Sequence, residues 1–312
     1  MALGVTVGAA SDDFVRIYEV GLRDGLQNER GVIATDDKLA LLDALIAAGL
    51  ARLELTSFVS PKWVPQLADA EALAARALPA HPGITLSALV PNDRGLERAL
   101  AAGIGEIAVF LSASETHNQK NINQSIDRTF EVFRDIVPPA LAAGVRVRGY
   151  VSTAWGCPYE GPIAPARVVA IAERLVELGC YQISLGDTIG VGTPNQTRDL
   201  VRRMLAVMPP EKLALHLHDT RGTALANIVA ALDLGIREFD ASVGGMGGCP
   251  YAPGAAGNVA TEDLVYMLDG MGLTTGVGLE RIIEAANLAE RIVGRALPGK
   301  VHCAGAFRTR AS

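Results

Sequence analysis

The sequence predicts an α/β protein, a closed (β/α)8 barrel of the TIM type with an additional C-terminal helical segment. Eight short runs rich in strand-forming residues alternate with eight amphipathic stretches rich in Ala and Leu. Several of these stretches end in a glycine directly before the next strand, which is typical of the left-handed residue that ends a helix. An open, doubly wound sheet is the alternative, because alternation by itself does not prove that the sheet closes.

Hydrophobic periodicity places the individual elements along the chain. The strands are expected at about residues 15–20, 52–56, 85–90, 106–111, 145–152, 182–185, 213–218 and 238–242. The helices are expected at about residues 36–48, 64–77, 94–102, 125–143, 166–178, 196–208, 224–234 and 262–271. One more helix, at about 279–294, precedes a polar end that is expected to be disordered.

Length and composition favour one large domain. With 312 residues, of which 49% are hydrophobic, the chain can bury a sizeable core, and α/β barrels of this length form single domains. We therefore expect one domain over residues 1–312, with the barrel at about 15–275 and the C-terminal helix and tail at about 279–312.

Charge and targeting signals restrict the partners and the compartment. A net charge of -6 and a pI of about 5.5 argue against a nucleic-acid or anionic-membrane partner. No apolar run reaches the ~18 residues of a membrane span, and the start of the chain does not resemble a signal peptide. The cysteines Cys157, Cys180, Cys249 and Cys303 have no CxxC spacing and are expected to be reduced. These features predict a cytoplasmic protein of bacterial origin.

The pair His216-x-His218, at the end of the seventh predicted strand, indicates a metal site. Side chains two residues apart on a strand point to the same face, so both imidazoles can reach one point in space. Imidazole is a common ligand of transition metals, whereas the alternative is a strand end whose histidines only form hydrogen bonds. Two histidines on one face, followed by Asp219 and a helix, favour the metal.

Other reactive residues also fall at the predicted C-terminal ends of strands, where barrels of this kind carry their active sites. The set comprises Arg23 and Asp24 after strand one, Glu54 on strand two, Arg148 and Tyr150 on strand five, Ser184 and Asp187 on strand six, the histidine pair on strand seven, and Cys249 and Asn258 after strand eight. Chance would scatter such residues over both ends of the barrel, so their placement predicts an active site at this end.

Most of these residues also have a purely structural interpretation. Arg23 and Asp24 can form a surface turn pair, and Glu54 can be the buried partner that holds Arg23. Asp187 and Asn258 can cap the helices that follow them.

Cys249 follows a glycine-rich segment, residues 244–248, and a reactive thiol is the favoured interpretation. A thiol on a flexible loop is not packed as a small hydrophobic group, although an inert cysteine is the alternative. His81, His117 and His302 have no companions and are expected to be structural or solvated.

Six segments of the chain carry a family resemblance. They are residues 19–29 (EVGLRDGLQNE), 56–65 (TSFVSPKWVP), 148–152, 157–161, 184–194 (SLGDTIGVGTP) and 247–267 (GGCPYAPGAAGNVATEDLVYM). Together they resemble 3-hydroxy-3-methylglutaryl-CoA lyase, a family of metal-dependent TIM-barrel lyases, collinearly from about Val15 to Ile292. Leu22 departs from the proline usual in the family, which alters the turn before Arg23 without removing a reactive group. The tail, residues 308–312, has no peroxisomal address.

The resemblance implies a retro-Claisen cleavage of 3-hydroxy-3-methylglutaryl-CoA to acetoacetate and acetyl-CoA, as in leucine degradation and ketone-body formation. It also implies a divalent cation, Mg²⁺ or Mn²⁺, with Co²⁺ or Zn²⁺ as further candidates, because mixed nitrogen and oxygen ligands suit these ions. The implied ligands are Asp24, His216, His218 and Asn258.

Further roles follow from the same resemblance. Arg23 would stabilise the charge on the thioester oxygen, with Glu54 holding Arg23, and Cys249 would protonate the carbanion carbon. Asp187, His216 or a metal-bound water would be the base. The groups nearest the acyl-CoA would be Arg23, Gln27, Lys120, Asn121, Arg148, Tyr150 and Ser184.

Two alternatives to this function remain. One is a lyase or synthase for a related branched hydroxyacyl-CoA, such as citramalyl-CoA. Claisen synthases of this superfamily usually carry a further C-terminal regulatory region, for which this chain ends too early. The other is a catalytically silent CoA- or metal-binding barrel, which would have no need of the complete set of reactive residues. A homodimer or higher homo-oligomer is expected.

Overall fold

The structure, a computed structural model, describes residues 13–248 and 257–307. Within them, eight parallel strands form a closed barrel. The strands are β1 (Arg16–Glu19), β2 (Arg52–Ser57), β3 (Thr85–Leu89), β4 (Glu106–Ser112), β5 (Arg146–Ser152), β6 (Gln182–Asp187), β7 (Leu213–Leu217) and β8 (Glu238–Ala241). β1 pairs with both β8 and β2, with Tyr18 opposite Asp240 and Glu19 opposite Leu53. The predicted (β/α)8 barrel is confirmed, and the open sheet is excluded.

Helices follow the strands and surround the barrel. They are α1 (Thr35–Ala47), α2 (Ala70–Ala80), α3 (Asp93–Ala101), α4 (Glu115–Ile122), α5 (Ile126–Ala142), α6 (Pro165–Leu178), α7 (Pro194–Leu205), α8 (Ala224–Leu232), α9 (Thr261–Gly270), α10 (Leu279–Val293) and α11 (Lys300–Ala304). All nine helices expected from the sequence are present, with shifted ends. α2 begins at Ala70 rather than near residue 64, because Pro65–Leu67 forms a separate 3₁₀ turn.

Two short helices have no counterpart in the sequence prediction. Only His117 and Asn118 are buried on the polar helix α4, so it has no apolar stripe to recognise. α11 lies in the C-terminal end that was expected to be disordered, and that expectation is wrong for residues 300–304. The Asp263 carboxylate accepts hydrogen bonds from Lys300 N and Val301 N, at 2.9 and 2.7 Å, and so caps α11.

Side chains on β5 alternate between the two sides of the barrel wall. Val147 and Val151 are buried in the apolar layer, while Arg148 and Tyr150 occupy the positions that face the barrel interior. The guanidinium of Arg148 is 0% exposed and binds the Asp240 carboxylate of β8 across the barrel. The interior is therefore polar, and each charged group in it needs a partner there.

Connections at the C-terminal ends of the strands contain local structure that positions the site. A π turn, Gly21–Gly25, follows β1, and a 3₁₀ turn, Val243–Gly245, follows β8. Between β5 and α6, Gly156–Cys157 pairs with Gly161–Pro162 as a short antiparallel hairpin. These turns determine where the chain leaves the barrel and therefore which side chains reach its mouth.

Candidate metal centre and active site

The π turn after β1 places Arg23 and Asp24 at the carboxyl end of the barrel. Asp24 N and Gly25 N both donate hydrogen bonds to Val20 O, at 2.7 and 3.2 Å, which winds the chain into a single wide turn. The side chains of Arg23 and Asp24 are both buried. The two residues are therefore not an exposed turn pair.

Asp24 receives hydrogen bonds on both carboxylate oxygens. Its Oδ1 accepts from Arg23 Nη1 at 2.7 Å and from Gln27 Nε2 at 2.8 Å, and its Oδ2 accepts from Asn258 Nδ2 at 2.7 Å. The same Oδ2 lies 3.8 Å from Nε2 of both His216 and His218. Burial opposes ionisation, but the Arg23 guanidinium and the histidines outweigh it and hold the pKa of Asp24 well below its usual range.

The two histidines meet through their Nε2 atoms, which lie 3.3 Å apart. Nδ1 of His216 lies 3.1 Å from Asp240 Oδ2. Burial alone would raise the pKa of Asp240, but the Arg148 charge outweighs it and holds that pKa below its usual range. An ionised carboxylate only accepts, so His216 Nδ1 carries the proton and Nε2 keeps its lone pair.

Four donor groups at this point fit a bound cation. Asp24, His216 and His218 are the one group of three or more His, Cys, Asp or Glu residues within the described ranges whose ligand atoms lie within 4.8 Å of one another. Oδ1 of Asn258 is buried without a hydrogen-bond partner, while its Nδ2 donates to Asp24. Imidazole nitrogens facing each other at this distance repel unless a proton or a cation lies between them. The residues therefore suit a metal ion, and the four predicted ligands come together.

Behind His216, two of the predicted substrate-binding residues contact Asp240. Asp240 accepts from Arg148 Nη2 at 2.6 Å and from Ser184 Oγ at 3.1 Å. Arg148 and Ser184 are fully buried, so in this structure they contact the residue that orients His216. Asp240 is not among the site residues predicted from the sequence. The usable signal was the alternation of acidic residues in β8, where Glu238 and Asp240 occupy the same face of the strand.

Arg23 is held in place by two carboxylates and an aromatic ring. Its Nε and Nη2 each lie 2.6 Å from Glu54 Oε2, and its Cζ lies 5.8 Å from the ring centroid of Tyr150. The Tyr150 hydroxyl lies 3.5 Å from the same Glu54 oxygen. Burial raises the pKa of Glu54, although the Arg23 charge opposes the shift. The arrangement matches the expected contact in which Glu54 holds Arg23.

Asp187 has a structural use in the loop that follows β6. Its Oδ1 accepts from Val191 N at 3.0 Å and its Oδ2 from Gly192 N at 2.8 Å. The carboxylate thus holds the loop before α7, while Thr193 caps the helix itself. Burial raises the pKa of Asp187 despite these two hydrogen bonds, so the carboxylate is more basic than an ordinary aspartate.

The remaining predicted residues lie at the rim or outside the described part of the chain. Lys120 and Asn121 are exposed on α4, the helix after β4, and Lys120 Nζ lies 4.9 Å from the ring centroid of Tyr159. Cys249 lies outside the described residues. Next to it in sequence, Gly247 has a φ of +108°, and a Cβ there would lie 2.7 Å from Asn258 Nδ2.

The fold and the donor set define a class of protein, the barrel enzymes that carry a metal site at the carboxyl ends of their strands. The model of the HMGL-like family matches residues 14–289, so the chain belongs to the HMGL-like family.

Named relatives and solved structures agree with this membership. The chain is 52% identical to the mitochondrial hydroxymethylglutaryl-CoA lyase of Bos taurus, over 92% of this chain and 88% of that protein. It is 50% identical to the cytoplasmic 3-hydroxy-3-methylglutaryl-CoA lyase of Rattus norvegicus, over 93% of this chain and 84% of that protein. The HMG-CoA lyase structure from Bacillus subtilis superimposes with a TM-score of 0.91 at 49% identity, covering 94% of this chain and 98% of that one. An HMG-CoA lyase from Acinetobacter baumannii, solved with coenzyme A and 3-methylmalate, has a TM-score of 0.91 at 39% identity, covering 95% and 97%.

Across the described residues, every helix is too short or too polar to cross a membrane. The named relatives include both mitochondrial and cytoplasmic enzymes.

Proposed function

We propose that this chain is a metal-dependent carbon–carbon lyase that cleaves 3-hydroxy-3-methylglutaryl-CoA to acetoacetate and acetyl-CoA. The observation that carries the proposal is the convergence of Asp24, His216, His218 and Asn258 beside the anchored guanidinium of Arg23, in a chain about half identical to enzymes named for this activity. The relative solved with coenzyme A supports an acyl-CoA substrate. One barrel would carry the whole activity.

Cleavage of this thioester makes three chemical demands. The tertiary hydroxyl must lose its proton, the new ketone must be polarised, and the enolate of acetyl-CoA must be stabilised and then protonated. When bound by the four ligands, a divalent cation, which we propose to be Mg²⁺ or Mn²⁺ with Co²⁺ or Zn²⁺ as further candidates, supplies Lewis acidity toward the hydroxyl and ketone oxygens.

Arg23 is suited to stabilise the enolate oxygen. Three of its five N–H groups are used by Glu54 and Asp24, which leaves two for a substrate oxygen. Because these contacts fix the guanidinium before substrate binds, little reorganisation is needed as the negative charge develops.

Two residues are candidates for the base that takes the hydroxyl proton. His216 has a free lone pair at Nε2, but that nitrogen cannot hold a cation and accept a proton at the same time. Asp187 lies beside the two histidines, because its backbone oxygen accepts a hydrogen bond from His218 N at 3.4 Å. With a carboxyl pKa raised by burial, Asp187 is the base we propose when His216 acts as a ligand.

Protonation of the enolate carbon is assigned to Cys249. The proposal rests on the sequence, because a thiol next to four glycines of segment 244–248 is a stronger acid than any hydroxyl nearby in that loop. Gln27, Lys120, Asn121 and Tyr150 remain proposed contacts of the acyl-CoA. Arg148 and Ser184 would act instead through Asp240, by holding His216.

A panel of CoA thioesters tests the function. We expect release of acetyl-CoA from 3-hydroxy-3-methylglutaryl-CoA in the presence of Mg²⁺ or Mn²⁺, and none after exhaustive chelation. Preferential cleavage of citramalyl-CoA would replace the proposed substrate by the related branched one. Absence of cleavage for every thioester, with metal bound, would instead indicate a silent binding barrel.

We also propose a homodimer or higher homo-oligomer in a cytoplasmic setting, supported for the compartment by the cytoplasmic relative. Light scattering coupled to gel filtration measures the oligomeric state, and cell fractionation identifies the compartment. A monomer, or recovery from an organelle, would contradict these proposals.

A further inference from the structure

A chain of polar contacts, buried at His302 and Glu262 and partly exposed at Glu290, joins α11 to the end of the barrel. His302 is 7% exposed, and its Nδ1 lies 3.0 Å from Glu262 Oε1 while its Nε2 lies 3.3 Å from Glu290 Oε2. Both ring nitrogens thus face carboxylate oxygens, and the doubly protonated imidazolium donates a hydrogen bond to each of them. The hydrogen bond that His302 donates to Glu262 raises the pKa of His302, although burial opposes the shift. Cys303, whose Sγ lies 3.5 Å from Nε2, is the other titratable group in contact.

Glu262 carries this contact to the turn Val243–Gly245. Its Oε2 accepts a hydrogen bond from Gly244 N at 3.0 Å, and Gly299 N donates to Gly244 O at 3.0 Å. Gly244 has a φ of +67°, and a Cβ there would lie 2.4 Å from Leu297 Cδ1. Both polar groups of this glycine are therefore held by α9 and by the segment that leads into α11.

The same turn leads directly to a proposed metal ligand. Met246 O accepts from Asn258 Nδ2 at 3.1 Å and from Asn258 N at 3.3 Å. A displacement of the turn would therefore move the amide whose Oδ1 is available to a cation. Because these contacts are buried, water does not replace them, and the position of the turn determines the position of the Asn258 amide.

We propose that His302 is a positioning residue for the metal centre: by bridging Glu262 and Glu290 it holds the turn Val243–Gly245, and through Met246 it orients Asn258. Only the kinetic part of this inference rests on the proposed lyase function. The bridge needs the imidazolium, so it is complete at low pH and is lost as the pH rises through the elevated pKa of His302. Glu19 is the other acidic group near Glu262, and its own pKa is raised by burial and, to a lesser degree, by the Glu262 charge.

Three measurements on His302→Ala test the proposal. We expect hydrogen exchange at the Gly244 and Gly299 amides to accelerate, and Mn²⁺ affinity and kcat to fall about tenfold with little change in KM, as for outer partners of metal ligands. His302→Gln, whose amide donates hydrogen bonds without a charge, should give values between those of the wild type and those of His302→Ala. The matched control is His81→Ala, because His81 also pairs with a carboxylate, Asp43 at 2.9 Å, but at the other end of the barrel.

The pH dependence adds an independent criterion. The ratio of wild-type to His302→Ala affinity for Mn²⁺ should be largest near pH 6 and should shrink toward pH 9, since the wild-type bridge is lost there. A ratio that does not change with pH, unchanged exchange at Gly244, or an equal loss in His81→Ala would each overturn the proposal. If the wild type cleaves no thioester, the proposed function fails, while amide exchange still decides the role of His302.

Discussion

At the scale of single residues, Asp240 determines which nitrogen of His216 is free. Asp240→Asn would present an amide to His216 Nδ1 and to the buried Arg148 guanidinium. The wrong imidazole tautomer then becomes accessible, and the buried Arg148 guanidinium loses its carboxylate partner. We expect Mn²⁺ affinity to fall about 10- to 100-fold in calorimetric titrations, together with a loss of stability.

Ser184→Ala is the control for this substitution. It removes the hydroxyl that donates to Asp240 Oδ2, the oxygen that also contacts His216 Nδ1, and leaves the charge of Asp240 in place. Equal Mn²⁺ affinity in Asp240→Asn and the wild type, with both proteins folded by circular dichroism, would contradict the role of Asp240.

The planar fork of Arg23 is the second feature at this scale. Lysine keeps the charge of Arg23 but has only three N–H groups and no planar fork, so after bonds to Glu54 and Asp24 at most one N–H is left for substrate, where arginine leaves two. Arg23→Lys should therefore lower kcat about 100-fold or more, as removal of an oxyanion donor does. The melting temperature should change little. Arg76→Lys, at an exposed pair with Asp36, should leave kcat unchanged. Near-normal turnover of Arg23→Lys would remove Arg23 from enolate stabilisation.

Cys249 is the proposed proton donor, and its hydroxyl analogue tests the assignment. A serine is nearly isosteric but a much weaker acid, so Cys249→Ser should abolish most turnover while KM and folding change little. Cys303→Ser, at an exposed thiol, is the control. Peptide mapping of the cysteine alkylated as activity disappears gives a second readout. Labelling confined to Cys157 or Cys303 would exclude Cys249, and the metal-centred function would stand.

At the scale of elements, the strand ends and turns decide how closely the backbone approaches the ligands. Gly247 has a φ of +108°, and a Cβ there would lie 2.7 Å from Asn258 Nδ2. Gly247→Ala should therefore displace Asn258 and reduce Mn²⁺ affinity at least about tenfold. Gly105→Ala introduces the same methyl group into open space without a positive φ and should bind Mn²⁺ normally. Wild-type affinity in Gly247→Ala would show that the loop yields without moving Asn258.

At the scale of the whole molecule, buried carboxylates make stability depend on pH. Glu19 joins β1 to the turn after β8 and to α9, because it accepts from Val243 N at 2.9 Å and from Thr261 Oγ1 at 2.5 Å. Burial raises the pKa of Glu19 from 4.5 to about 7, despite these hydrogen bonds. Between these values the native state keeps a proton that the unfolded chain releases, so stability falls as the pH rises toward 7 and is constant above it.

Glu19→Gln removes this titration. The free energy of unfolding of the wild type, relative to Glu19→Gln, should decrease by up to about 3 kcal/mol between pH 4.5 and pH 8. Urea unfolding at both pH values measures the difference, with Glu97→Gln, at an exposed position, as the control. A difference that is the same at both pH values would show that Glu19 does not titrate in this range.

The alternation of strands and helices, the histidine pair and the family motifs are properties of the sequence by itself. Periodicity is a local signal, and a (β/α)8 barrel repeats one local unit, so the order of its elements can be read from the sequence. For the same reason, the positions of Arg23, Asp24 and Asn258 at the strand ends were predictable. α4 and α11 were not, since one has no apolar stripe and the other depends on a cap from Asp263.

Closure of the barrel and the partners of its buried charges were decided only by the tertiary structure. Arg148 looked like a substrate contact in the sequence, but it is fully buried against Asp240, which lies 92 residues away in the chain. Asp240 in turn fixes the protonated nitrogen of His216. Such pairings join residues on different strands, and no local pattern encodes them. They exist because closure removes these charges from water, and each must then find a partner across the barrel.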